Sequence, residues 1–476
     1  MTQYENARLL INGAWLGGET SLDVVNPATG RPVGKVPVCT ESQLKEAVEA
    51  AHAAFQSWRL TAPVQRARIL QRAASLLRER IDVIAHTMML EQGKPLAEAR
   101  AEVLRGCDNI EWDASEAMHL DGRTIAGDAG TFHYTVHQPV GAVAAFTPWN
   151  YPFGSPARKL ASALGAGCTV ILKAAEETPA TAAHLVAAFT DAGVPAGAIN
   201  LVFGKPAEIS AFLIDHPLVR LISFTGSVAV GKALAARAGG QMKPVVMELG
   251  GHAPVIVCAD ADPVQAARIS VAAKIRNAGQ ICISPSRFLV DQSIFETFTS
   301  TFGDLAAAIR SAAGDDPASQ MGPLSNARRL DAILELVEDA LQSGGTLLCG
   351  GHRQAGEGFF FPLTVLANVP AHARIMREEP FGPIAVINKV SSLDEAIAVA
   401  NSLPVGLAAY AFTDSQKTIQ RLATNLECGA LAINQFSPSS LGTPFGGVKD
   451  SGIGREGGSE GVAAYTTVKK ISHFTA

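Results

Sequence analysis

An α/β fold, with parallel sheets covered by helices on both faces, is what this sequence predicts, on three observations. Short apolar runs at 140–146, 169–172, 199–203, 219–224 and 245–247 alternate with helical segments, the rhythm of βαβ units. A second alternating series comes after Gly251, at 255–257, 288–290, 346–348 and 385–387. The length, 476 residues, suits two or three domains of roughly 100 to 200 residues each.

Taken in order, the first elements read as helices. Thr40 followed by Gln43 is a capping-box start, and Leu44, Ala47, Val48, Ala51, Phe55 and Trp58 recur at helical spacing. Pro63 opens a second helix with Ile69, Leu70, Ala73, Leu76 and Leu77 on one face, and Gly93 and Pro95 stop the helical pattern beyond it. The first hundred residues are therefore predicted to be largely helical. Thr178-Pro179 starts a further helix that ends near Gly193 and Pro195. Beyond a Gly-rich stretch at 442–461, residues 464–471 read as a final strand free to pair outside both sheets.

Composition narrows the function classes. The chain is 47% apolar and 17% charged with a formal net charge of −5, and no run of five Lys or Arg could track phosphates, so nucleic acid is not an expected partner. The start carries Asn and Glu where a secretory leader needs a basic, then apolar, run. The most apolar stretch, 160–175, is broken by Lys173 and falls short of the ~20 residues needed to span a bilayer. The expectation is a cytoplasmic protein without membrane contact. Seven cysteines, an odd and scattered set without a C-x-x-C pair, point to buried reduced thiols and not to disulfides or zinc.

Several groups could carry chemistry. Gly452-Ile-Gly454-Arg-Glu-Gly457 satisfies G-x-G-x-x-G but comes after a loop and lacks the strand-to-helix context, so it reads as a turn. The stretch 224–231, FTGSVAVG, leaves a strand and enters a helix, where free N–H groups and the helix dipole suit a phosphate. Lys173 and Glu176 lie just after the 169–172 strand; they are either ribose ligands, with the carboxylate favouring NAD over NADP, or a solvated ion pair. Cys282 in RNAGQICIS is a candidate nucleophile beside Gly279 and Gln280, with Glu248 in MELGG as its carboxylate partner. Asn150, between Pro148 and Pro152, is either a turn asparagine or a rigid donor for an oxyanion. His133 and His137 alternate along a strand without a nearby third ligand, so no metal site is assigned.

Seven motifs in order, TPWNYP, KAAEETP, FTGS, MELGG, GQIC, EEPFGP and PFGGVKDSG, resemble those of the aldehyde dehydrogenase superfamily over essentially the whole chain. The resemblance implies a Rossmann-like NAD-binding domain (1–120 and 140–251), an α/β catalytic domain (252–450) and a β arm (121–139 and 451–476) that joins copies into a homodimer or homotetramer. It implies Cys282 as nucleophile, Asn150 with the Cys282 N–H around the oxyanion, and Glu248 as the base that hydrolyses a thioester. Lys173 and Glu176 look like ribose ligands, Gly226 and Ser227 lie at the pyrophosphate, Trp149 lines the cofactor cleft, and Glu379 with Phe381 positions the nicotinamide. NAD is the implied cofactor, ahead of NADP.

Arg158 and Arg276 resemble the arginines that clamp the distal carboxylate in succinate-semialdehyde dehydrogenases, with Ser439 or Ser440 adding a hydroxyl. The 274–290 stretch is also similar to 2-oxoglutarate-semialdehyde dehydrogenases. A small anionic aldehyde, the semialdehyde of a dicarboxylic acid, is the expected substrate; an uncharged or hydroxy aldehyde such as lactaldehyde or glycolaldehyde is the alternative. Departures from the pattern are Ala174 in place of a usual Pro, Ile275 where an aromatic is common, and Ser284 where some relatives carry a second cysteine. A redox-silent dinucleotide-binding protein and a thiol esterase are the rival classes.

Overall fold

The structure, a computed structural model, describes residues 4–475. Its first large sheet orders the strands Ala14–Leu16, Leu9–Ile11, Ile199–Val202, Thr169–Lys173, Ala142–Phe146, Val219–Gly226, Val245–Leu249 and Gly452–Ile453. The five central strands are parallel, and Leu9–Ile11 and Gly452–Ile453 flank them antiparallel. Ala142–Phe146 and Thr169–Lys173 are buried along their whole length, which is why they read as unbroken apolar runs. From Ala142–Phe146 the chain builds outward to Ile199–Val202, then returns to the other side with Val219–Gly226. That reversal opens a crevice at the carboxyl ends of Ala142–Phe146 and Val219–Gly226, where open α/β sheets place ligands.

The second sheet runs Thr346–Cys349, Thr364–Ala367, Ile384–Val390, Arg287–Asp291, Pro254–Val257, Ala408–Phe412 and Ala430–Ile433, parallel except for its first strand. It has its own core, in which Phe288, Phe298 and Phe302 pack with ring centroids 5.1 to 5.9 Å apart. The α/β fold class expected from the alternating runs is the one observed.

A third sheet places Thr466–Phe474 alongside Thr131–Pro139, with Thr124–Ile125 on the far side. His133 and His137 make cross-strand hydrogen bonds there, to Ser472 Oγ (3.0 Å) and Thr466 Oγ1 (2.8 Å). The segment 451–476 is divided: Gly452–Ile453 joins the first sheet, the short helix Gly458–Ala463 packs on helices Leu96–Glu116 and Gly154–Ala166, and Thr466–Phe474 enters the third sheet.

Near the start the structure departs from expectation. Four helices, Glu41–Trp58, Pro63–Glu79, Ile81–Gln92 and Leu96–Glu116, obey the periodicity, and the Thr40–Gln43 capping box forms. Residues 9–38, however, are largely strands. The signal is local: Asn12 and Gly13 both have positive φ (50° and 81°), the conformation of a two-residue hairpin turn that Asn-Gly favours.

Helix Pro179–Ala192 begins without a side-chain cap of its own. Glu91, from Ile81–Gln92, supplies one. Its carboxylate accepts the N–H groups of Ala180 (2.7 Å) and Thr181 (3.0 Å) and the hydroxyls of Thr181 and Tyr4 (both 2.6 Å). Glu91→Ala strands these buried donors and is expected to lower the unfolding free energy by about 3 kcal/mol in urea denaturation. A loss of less than about 0.5 kcal/mol, the scale of an ordinary surface change, would show that the cap lies elsewhere.

Candidate active site

Cys282 comes after a buried turn whose backbone is left-handed three times in succession, at Asn277 (φ 48°), Ala278 (φ 51°) and Gly279 (φ 69°). Two of these are not glycine, and such residues cost about 1 to 2 kcal/mol each in that region. Polar partners hold them. Gln92 Nε2 donates to Asn277 Oδ1 (2.8 Å), the Asn277 N–H donates to Glu98 (2.8 Å), and Asn277 Nδ2 donates to the Asn150 carbonyl (3.0 Å). Gly279 is obligatory for space as well, since a Cβ there would lie 2.2 Å from the Gly382 carbonyl.

Asn150 is tied to the same turn: its Nδ2 donates to the Gln280 carbonyl at 2.9 Å, leaving one amide hydrogen for another acceptor. Lys94 Nζ donates to the Asn150 carbonyl at 3.0 Å and pairs with buried Glu102. Glu102 in turn accepts the N–H groups of Phe153 and Gly154, both at 3.0 Å. Asn150 itself is buried, and its neighbour Tyr151 lines the cavity.

In front of the turn lies a cavity of about 340 Å³ bounded by Cys282, Glu248, Arg158, Arg276 and Ser439 among others. Glu248 lies near the end of the strand Val245–Leu249, is 3% exposed, and neither carboxylate oxygen has a hydrogen-bond partner among the described residues. Burial, then the nearby Glu456 carboxylate, pushes its pKa well above the usual range; Lys159, Arg158 and Arg455 oppose the rise. Glu456 also faces the cavity and is held by Lys159 Nζ at 2.5 Å, which donates as well to Ser223 (2.9 Å). Burial and the carboxylates Glu379 and Glu248 push the Cys282 thiol up to about 12, against its own N–H and Arg158. The resting sulfur is a thiol that needs a base.

The crevice above the first sheet suits a dinucleotide. Gly226 ends its strand with no room for a side chain, a Cβ there meeting the Phe224 ring at 2.4 Å. Ser227 precedes helix Val228–Gly240 without capping it, so that helix's first N–H groups are left free for a ligand. Thr147 and Thr225 hydroxyls are buried without partners among the described residues at the same strand ends. Lys173 Nζ lies 2.7 Å from the Glu176 carboxylate, which also accepts the Gly204 N–H at 3.0 Å. Trp149 and Phe381 meet edge to face at 5.7 Å. Glu379 occupies space that only glycine at 250 leaves free, a Cβ there falling 2.3 Å from its carboxylate.

Of the predicted substrate residues, Arg158, Arg276 and Ser439 line the cavity; Ser440 does not, its backbone being engaged with Thr443 Oγ1. Neither Arg158 nor Arg276 forms an ion pair among the described residues, and Arg158 rests over the Phe445 ring at 5.7 Å. Among the described residues no group of three His, Cys, Asp or Glu is placed to hold a metal ion.

The Aldehyde dehydrogenase family model matches residues 15–471. This chain belongs to the aldehyde dehydrogenase family. It is 44% identical to a 4-(hydroxymethyl)benzenesulfonate dehydrogenase of Comamonas testosteroni, over 99% of each chain. It is 39% identical to an NADP-dependent succinate-semialdehyde dehydrogenase of Escherichia coli, over 97% of this chain and 96% of that one. Among solved structures, an NADP-dependent enzyme of E. coli superposes with a TM-score of 0.97 at 38% identity, covering 99% of this chain and 98% of that one. Aldehyde dehydrogenases oxidise aldehydes with NAD or NADP.

Several residues of this aldehyde dehydrogenase's cavity are not picked out by the sequence reading: Lys94, Glu102, Arg105, Tyr151, Tyr410, Phe436 and Glu456. Glu98, Glu102, Arg105 and Asn109 recur at intervals of three or four on Leu96–Glu116, and that polar stripe on one helix face is the available signal. Glu456 sits inside the G-x-G-x-x-G run that reads as a turn.

Because Glu456 raises the Glu248 pKa, Glu456→Gln is expected to lower it and to move the acidic limb of the kcat profile to lower pH, the Lys159 charge adding to the shift. Steady-state rates across pH, with melting temperature as a folding control, test this. An unmoved limb in a folded variant would remove the electrostatic link.

Proposed function

We propose that this enzyme uses NAD to oxidise an aldehyde bearing an anion at its far end, a class that includes the semialdehydes of dicarboxylic acids, to the corresponding acid. The observation that carries the reading is the pair Arg158 and Arg276, neither in an ion pair among the described residues and both in the cavity that holds Cys282. Guanidiniums so placed suit a carboxylate held by its two oxygens.

Glu248, with its pKa raised, takes a proton, and Cys282 Sγ forms a bond to the aldehyde carbon. The free Asn150 amide hydrogen and the Cys282 N–H stabilise the negative oxygen, the task that rigid, pre-aimed donors do best. The chemistry NAD would supply, held in the crevice, is acceptance of the hydride from this carbon. Once Glu248 has passed the thiol proton to solvent, it deprotonates the water that cleaves the thioester, and that proton returns to the departing sulfur as the acid is released. Trp149, Lys173, Glu176, Gly226, Ser227, Glu379 and Phe381 are proposed to hold the dinucleotide.

Further parts of the proposal concern the whole subunit. Residues 1–120 and 140–251, with Gly452–Ile453 at the edge of their sheet, bind cofactor, 252–450 carry the catalytic domain, and the arm formed by 121–139 and Thr466–Phe474 joins copies into a homodimer or homotetramer in the cytoplasm. Among the described residues no helix is long and apolar enough to cross a membrane. A second reading, a sulfonated aldehyde, is favoured by the aromatic walls Tyr151, Tyr410, Phe436 and Phe445 and by the relative named for a benzenesulfonate.

Succinic, glutaric and 2-oxoglutaric semialdehydes, compared with uncharged aldehydes, test the substrate class. Arg158→Ala and Arg276→Ala are each expected to raise KM for the anionic aldehydes about tenfold or more and to spare uncharged ones; Cys282→Ser is expected to abolish NADH formation. Equal effects on charged and uncharged substrates would remove the anion from the argument. For the cofactor, Glu176→Thr is expected to raise kcat/KM with NADP relative to NAD, by removing a carboxylate that repels a 2′-phosphate. An unchanged ratio would place the discrimination elsewhere.

A further inference from the structure

The cavity before Cys282 contains a third guanidinium. Arg105 lies on helix Leu96–Glu116, where Ala101, Arg105 and Asn109, each four residues on, form one stripe of the cavity wall. Its side chain is exposed and makes no ion pair or hydrogen bond among the described residues. The acids nearest on that helix are engaged elsewhere. Glu98 accepts the Asn277 N–H at 2.8 Å, Glu102 holds Lys94 and two amides, and Asp108 and Glu111 hold Arg78.

Arg105, Arg158 and Arg276 therefore reach one cavity from three separate elements: the helices Leu96–Glu116 and Gly154–Ala166, and the left-handed turn before Cys282. A carboxylate has two oxygens in one plane, and a single guanidinium fork can satisfy both. Two arginines already saturate it. A third, arriving from another direction, matches a tetrahedral anion whose three oxygens splay out of any common plane.

Resting on the reading that the substrate's far end is anionic, we propose that Arg105 is a specificity-determining residue that engages the third oxygen of a sulfonate, making sulfonated aldehydes the preferred substrates over their carboxylate counterparts.

Matched pairs decide it: 4-formylbenzenesulfonate against 4-formylbenzoate, and 3-oxopropanesulfonate against succinic semialdehyde, with benzaldehyde and butanal as uncharged controls. The unaltered enzyme is expected to show a higher kcat/KM for the sulfonate of each pair it turns over. Arg105→Ala is expected to lower sulfonate kcat/KM about tenfold, the worth of one charge-assisted hydrogen bond at a partly exposed site. Carboxylate rates should change less than about threefold and uncharged rates not at all, with partial recovery in Arg105→Lys. Equal losses for both anions, or a carboxylate preference in the unaltered enzyme, would overturn the role of Arg105 and leave the anionic-aldehyde reading standing. No preference for either anion over the uncharged controls would overturn both.

Discussion

The left-handed turn at Asn277, Ala278 and Gly279 is the constraint on which the site depends. It is an unfavourable backbone, and it persists because Gln92, Glu98 and the Asn150 carbonyl meet Asn277 from three directions. The same contacts set Asn150 against Gln280, so the Cys282 loop and the Asn150 amide are positioned by one network. Lys94 and Glu102 extend it to the first turn of helix Gly154–Ala166, which carries Arg158. A displacement of the turn would therefore move thiol, donor and arginine together.

Around that turn the chain collects carboxylates in a poorly solvated space. Glu248 and Glu379 both rise in pKa, chiefly through burial, Glu379 to about 8. Charges so close in a medium of low dielectric disfavour one another, and the Cys282 thiol stays protonated. A thiol is a poor nucleophile and a raised carboxylate a better base, so the two perturbations are complementary.

Three arginines line the same cavity. Arg105, Arg158 and Arg276 form no ion pair among the described residues, and a charge of this kind is tolerated where solvent or a ligand supplies the counter-charge.

Much of this is legible in the chain itself. Short-range rules locate the Thr40–Gln43 capping box and the parallel strands, whose burial on both faces leaves a continuous apolar run, because their causes lie within a few residues. The Asn12-Gly13 hairpin is equally local, but the stronger helical signal beyond it masks it. The family motifs name Cys282, Glu248 and Asn150, though nothing local shows that Asn150 and Gln280, 130 positions apart, share a hydrogen bond. Tertiary structure alone decided that Glu456 faces Glu248, that Arg105 turns into the substrate cavity, and that Ser439 does so while Ser440 does not. Those outcomes depend on which helix face packs inward and on how solvent is excluded between distant segments, and no residue carries that information without its neighbours in space.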